Sequence, residues 1–176
     1  MNKLIIDLEA TCTDKDEFPR YESEIIEIGA VLVNEKNEVI NKYSTFVRPV
    51  RNSILTNFCR KLTTITQDEV DSAKTFPEAM EYFKEWMDKQ GEFIFCSWGD
   101  YDKNQFRRCS EYHGIENYMG KYEHINIKKA FAKTNNVKPC GLSKAMNIAG
   151  IQLEGTLHRG IDDAMNMAKI MPLIDI

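Results

Sequence analysis

No stretch of this 176-residue chain approaches the roughly 20 consecutive apolar residues that cross a bilayer, and the opening MNKLIIDLEATC reaches acids after only a few apolar positions. A membrane or secreted destination is therefore not expected. Disulfide chemistry is also thinly provided for: Cys12, Cys59, Cys96, Cys109 and Cys140 lie far apart, odd in number and with no C-x-x-C pair. That pattern argues against a disulfide framework or a zinc ribbon, and reduced thiols in a cytoplasmic protein are the expectation. Positive charge is not in excess either, with 23 basic against 27 acidic residues and a net charge of −4, so nothing in the total proposes wrapping a long polyanion. There is no internal repeat, low-complexity tract or linker. With 43% hydrophobic and 28% charged residues the composition excludes disorder, and the length fits one domain over residues 1–176.

What is present is locally uneven. Residues 48–61 carry Arg48, Arg51, Arg60 and Lys61 with no acid, and 125–138 carry Lys128, Lys129, Lys133 and Lys138 with none. Acids gather at 14–27 and 68–92. Such clusters read first as solvated faces, and they gain meaning only beside a catalytic site.

Residues 3–9 read as a short apolar strand, 24–33 (EIIEIGAVLV) as a second and 38–47 as an alternating third, with Asn34-Glu35-Lys36-Asn37 supplying hairpin chemistry. The period then becomes helical across FPEAMEYFKEWM, where Phe76, Ala79, Met80, Phe83 and Met87 share a face and Pro77 fits a first turn. A buried-looking strand follows at 92–98, then a helix from about 102 to 113 and a brief strand near 124–127. Residues 141–149 and 160–171 return to helical spacing. A strand meander followed by strand and helix alternation predicts an α/β layer fold with a mixed sheet.

Three segments carry chemistry. In Ile5-Ile6-Asp7-Leu8-Glu9 two acids sit two apart, which in a strand puts both carboxylates on one face. Inside a sheet covered on both sides they need a compensating positive charge; the alternative is a solvated strand end. In Trp98-Gly99-Asp100-Tyr101-Asp102 an acid follows a strand and opens a helix, the place where open α/β sheets put their sites, although either Asp also suits a helix cap. In His158-Arg159-Gly160-Ile161-Asp162-Asp163 a histidine precedes an acid near a helix start. Four carboxylates from three segments suit hard divalent cations, and a nearby histidine suits a general base near neutral pH.

In the order D-x-E, then Asp, then H-x4-D, the chain resembles the DEDDh group of 3′-to-5′ exonucleases, with a ribonuclease H-like fold, and within it the Eri-like branch that includes the 3′ histone messenger RNA exonuclease. IIDLEATC, EIIEIGAVLVN, FVRP, LTNFCRKLTTITQDEVD, TFPEAMEYFKEWM, SWGDYDKNQF and HRGIDDAMNMAKI carry the resemblance. It implies an α/β fold with a mixed, about five-stranded sheet flanked by helices. It makes Asp7, Glu9, Asp102 and Asp163 the metal-binding acids and His158 the general base. Asp102 is preferred to Asp100 because an aromatic, Tyr101, directly precedes it and Phe106 follows. Asp163 is preferred to Asp162 on spacing, which leaves Asp162 as a helix cap. Two departures stand out: Thr64 occupies a position where many relatives have Gly, and Asp100 adds an acid beside the middle motif.

The resemblance further implies two Mg²⁺ or Mn²⁺ ions, about 3.5 to 4 Å apart, hydrolysing a phosphodiester. Asp7 would bridge both while His158 takes the proton from the attacking water. The implied substrate is a single-stranded 3′ end, RNA first, with 5′-mononucleotides as product. The terminal nucleoside is placed against the backbone of Ala10 and Thr11, with Phe58, Leu62 and Tyr101 near base or sugar; for Phe58 and Leu62, simple core packing is an equal reading. Lys103, Arg107, Arg108, Arg51, Arg60 and Lys61 are candidate phosphate contacts. No membrane contact is expected, and substrate choice falls to this domain or to a protein partner. The rivals are a DNA exonuclease with the same site, an endonucleolytic ribonuclease H, and a silent nucleic-acid-binding module, which would be expected to lack one of the five residues.

Overall fold

The computed structural model describes residues 1–175. Its centre is β1 (Asn2–Ala10), whose unbroken apolar run from Leu4 to Ile6 suits a strand covered on both faces. β2 (Ile25–Val33) pairs antiparallel on one side of it, and β3 (Val39–Arg48) returns antiparallel to β2. The turn between β2 and β3 is built by Asn34, whose carboxamide oxygen accepts from Lys36 and Glu38 N–H, and by Asn37 in the left-handed region at φ 62°. The hairpin expected at 34–37 is thus formed by the side chains that suggested it.

Two short helices follow, α1 (Asn57–Thr63) and α2 (Gln67–Asp71), then a two-residue strand β4 (Lys74–Thr75). α3 (Phe76–Asp88) starts with Pro77 in its first turn and the Glu78 carboxylate accepting from Thr75 N–H at 2.9 Å. β5 (Phe93–Ser97) lies parallel to β1 and is followed by α4 (Tyr101–His113). β6 (His124–Asn126), α5 (Ile127–Thr134), α6 (Leu142–Ile148) and α7 (Gly160–Ile170) complete the order.

The sheet runs β4-β3-β2-β1-β5-β6, mixed in direction. It has six strands where the sequence suggested about five; β4 pairs with β3 at only two positions and is too short to leave a periodic signal. The period of two along β1 sorts side chains to two layers. Leu4, Ile6 and Leu8 face a core filled by Ala79, Phe83, Met87 and Phe106 of α3 and α4. Ile5 faces Phe131, Met146, Ala164 and Met167 of α5, α6 and α7. Asp7 and Glu9 continue the Ile5 face, so both acids point toward the layer that contains α7. No helix among the described residues is long and apolar enough to cross a membrane.

Candidate active site

Close backbone approach brings α7 to the acids of β1. Asp7 is paired across the strands with Gly29 of β2, and Gly160 opens α7 directly above. A Cβ placed on Gly29 would sit 2.0 Å from the Gly160 carbonyl carbon, and one on Gly160 would sit 2.9 Å from the Asp7 carbonyl oxygen. Any side chain at either position would hold the helix off the sheet.

A buried carboxylate fixes the same junction. Glu27, fully buried and facing Glu9 across the strand pair, accepts from Gly160 N–H at 3.0 Å and from Arg159 Nε at 3.2 Å. Arg159 in turn lies 5.2 Å over the Phe46 ring. Glu24, also buried, performs a parallel task elsewhere, accepting from the N–H groups of Val50, Arg51 and Asn52 at 2.8–2.9 Å. The motif reading did not select either glutamate. The available signal was two acids within the otherwise apolar run EIIEIGAVLV, where burial obliges a carboxylate to find donors.

With α7 so placed, Glu9, His158 and Asp163 bring potential ligand atoms within 4.8 Å of one another. His158 is exposed and adopts a left-handed backbone at φ 59°, a strained conformation for a residue with a Cβ. Its N–H donates to Asp163 Oδ2 at 3.0 Å, which stabilises that turn. The other oxygen, Asp163 Oδ1, is buried with no hydrogen-bond partner. Asp102 enters from the first turn of α4, buried, and its Oδ1 accepts from Leu8 N–H at 3.1 Å, between the two acids of β1.

The electrostatics are those of crowded anions. Burial pushes the Asp7 carboxyl well above the ordinary range, and Asp102, Glu9, Asp163 and Glu27 push it the same way. Glu9 is raised to about 8 by burial, then by Asp163, Glu27 and Asp102. Burial lifts Asp102 to about 7 against the Leu8 hydrogen bond, and Asp163 is raised by burial too. Oxygen donors that repel one another, one of them orphaned, form a set that fits hard divalent cations.

The neighbouring acids behave differently. Asp100 stands at the head of α4, half-exposed, and turns to Lys129 Nζ at 3.3 Å and His124 Nδ1 at 3.8 Å, away from Leu8. Asp162 does not cap α7 as expected; Arg159 holds that position, and Asp162 Oδ2 accepts from Thr156 N–H at 2.8 Å in the preceding loop. Thr64 terminates α1 at φ 61°, the left-handed position where Gly is favoured.

Of the residues expected to meet the nucleoside, Thr11 is buried, its N–H and hydroxyl both engaged with the Glu24 backbone at 2.8 and 2.9 Å. Ala10 is buried at the end of β1, beside a bulge, and its carbonyl accepts from Cys59 Sγ at 3.7 Å. Phe58 and Leu62 on α1 are half-exposed and belong to none of the three apolar clusters, so core packing does not account for them. Tyr101 lines a cleft of about 380 Å³ together with Thr11, Cys12 and Arg20.

Comparison with known proteins agrees with this geometry. The exonuclease family model, RNase_T, matches residues 4–171. The chain is 30% identical over 189 residues to the 3′-5′ exonuclease Snipper of Drosophila melanogaster, covering 96% of this chain and 67% of Snipper. To the 3′-5′ exoribonuclease 1 of Homo sapiens it is 31% identical over 181 residues, covering 94% of this chain and 50% of the human protein. The nuclease domain of 3′hExo, a DEDDh family member bound to rAMP, superposes with a TM-score of 0.90 at 31% identity, over 97% of this chain and 89% of that one. The chain thus spans half to two thirds of the length of these curated relatives. Fold and acid arrangement define the class as DEDDh, on a ribonuclease H-like scaffold. Within that class the chain belongs to the exonuclease family, in the group similar to 3′hExo.

Proposed function

We propose that this domain is a 3′-to-5′ exonuclease that removes 5′-mononucleotides from single-stranded RNA ends with two Mg²⁺ or Mn²⁺ ions. The convergence of Glu9, His158 and Asp163, with Asp163 Oδ1 buried and unpartnered, is the observation that carries the reading. Asp7, Glu9, Asp102 and Asp163 would hold the cations, which when bound relieve charge on the phosphate and acidify water. His158, exposed at the mouth and tied through its backbone to Asp163, accepts the proton of the attacking water. The half-exposed faces of Phe58, Leu62 and Tyr101 receive the terminal nucleoside, and unpaired bases suit the two aromatic rings among them. Ribonucleic acid is preferred because the human relative is named an exoribonuclease and the 3′hExo domain is bound to rAMP. Five unpaired thiols accord with a reducing, cytoplasmic setting.

The test is digestion of a 5′-labelled single-stranded RNA, and of the same sequence as DNA, with Mg²⁺ or Mn²⁺. A ladder shortening stepwise from the 3′ side, faster on RNA and reduced at least about 100-fold in His158→Ala, is expected from loss of a general base. Internal fragments, or undiminished activity in the variant, would refute the proposal.

A further inference from the structure

A second surface leads away from the acids along α4. That helix presents Tyr101, Arg108 and Tyr112 at spacings of seven and four residues, so the three fall on one stripe. The stripe begins beside Asp102 and extends about 16 Å, at 1.5 Å per residue. Arg108 lies 5.8 Å over the Tyr101 ring, and Arg51 lies 3.8 Å over the Tyr112 ring. The Arg51 loop is held by its three backbone N–H groups on buried Glu24, so this guanidinium is carried by a fixed mount. Tyr21, Arg51, Arg107, Arg108, Glu111 and Tyr112 line a groove of about 500 Å³, and the Tyr101–Arg108 contact joins it to the cleft beside Thr11.

The charge is poised as well as positive. Among the described residues, Arg20, Arg51 and Arg108 form no ion pair with a carboxylate, while Arg107 is neutralised by Glu111 at 2.7 Å. Tyr21, Tyr101 and Tyr112 are 67%, 37% and 45% exposed. On a chain of net charge −4, guanidinium groups without a carboxylate partner, Arg108 donating only to the neutral Gln105 amide, interleaved with exposed aromatic rings are a localised exception. Alternating phosphates and flat bases are their chemical complement.

We infer that this arginine–tyrosine stripe binds the single-stranded segment upstream of the nucleotide being removed, so that the domain grips several nucleotides behind its site. At about 3.4 Å per stacked nucleotide the stripe accommodates up to about five. The inference rests on the nuclease reading for its direction, but its test does not require cleavage.

Fluorescence anisotropy of 5′-fluorescein oligouridylates of three and eight nucleotides, in EDTA so that no strand is cut, measures the contribution of length. Affinity is expected to rise at least about tenfold from the trimer to the octamer, the scale of one stacked base with its phosphate. Arg51→Ala and Tyr112→Ala each reduce that rise, and Arg51→Ala lowers the slope of log affinity against log salt by about 0.7, one single-strand phosphate contact. Glu111→Gln, which releases Arg107, strengthens octamer binding, a gain that misfolding does not produce. Affinity independent of length, a rise untouched by Arg51→Ala and Tyr112→Ala, weaker octamer binding by Glu111→Gln, or equal capture of a duplex would overturn the assignment. Length-dependent binding without a 3′ ladder in Mg²⁺ would instead refute the nuclease reading and leave the surface standing.

Discussion

At Thr64 a β-branched side chain occupies a left-handed backbone, φ 61° and ψ 3°, at the exit of α1. Glycine carries no such penalty there, so Thr64→Gly is expected to stabilise the fold by about 1 kcal/mol. Urea denaturation measures this as a higher midpoint at unchanged slope; a lower midpoint would show that Thr64 makes a compensating contact. The same backbone region at His158 cannot be relaxed without cost to the site, because its N–H anchors Asp163. One strained residue therefore terminates a helix, and the other holds the proposed base in place. Both conformations were invisible in the residue names, since threonine and histidine ordinarily adopt other backbone angles.

Among the elements, those with many turns or a sustained alternation were legible. α3 was readable from Phe76, Ala79, Met80, Phe83 and Met87, all buried on one face. α1 and α2 were not read, α1 burying only Cys59 and Thr63 and α2 only Val70, and β4 forms because Val47 and Arg48 offer it an edge. α5 was missed because its buried residues Ile127, Phe131 and Ala132 lie among the lysines of a basic run. The junction of α7 with β1 and β2 is the element contact on which the site depends. Gly29→Ala would drive a methyl into the Gly160 backbone and lift Asp163 away from Glu9. A loss of about 100-fold in nuclease rate is expected, as for a displacement near 1 Å, with the stability loss of an overpacked core. Parallel kinetics and denaturation check this, and native activity in the variant would contradict the close-packed junction.

For the molecule as a whole, the gathered acids couple stability to pH. With Glu9 raised to about 8 by burial and by the neighbouring acids, and Asp102 to about 7 by burial, the metal-free fold holds protons that the unfolded chain has released. Its stability therefore falls as pH rises through that range. His113 and His124, lowered by burial, act in the opposite sense, but this contribution fades above about pH 6.5 as the unfolded imidazole loses its proton. Melting temperature in EDTA should thus decline from pH 6.5 to 8.5, and Mn²⁺ should raise it more at 8.5 than at 6.5 because cations then replace missing protons. A flat or rising metal-free profile, or a metal effect equal at both ends, would remove the acids from this role.

The order of D-x-E, the middle Asp and H-x4-D suggested hard oxygen donors beside a titratable base, and the resemblance to the DEDDh exonucleases, carried by further stretches such as LTNFCRKLTTITQDEVD, indicated the chemistry. The apolar run of β1, the alternation of β3 and the helical period of α3 likewise specified a layered α/β fold, through burial of apolar faces. Turning Asp100 toward Lys129 and His124, assigning Glu27 to the Arg159 clasp and Glu24 to the Arg51 mount, and placing Gly29 beneath Gly160 required the folded chain. Each of these depends on which groups lie within a few ångströms across segments as much as 133 residues apart. Local preference contains no such distances; only packing the two layers onto one sheet sets them.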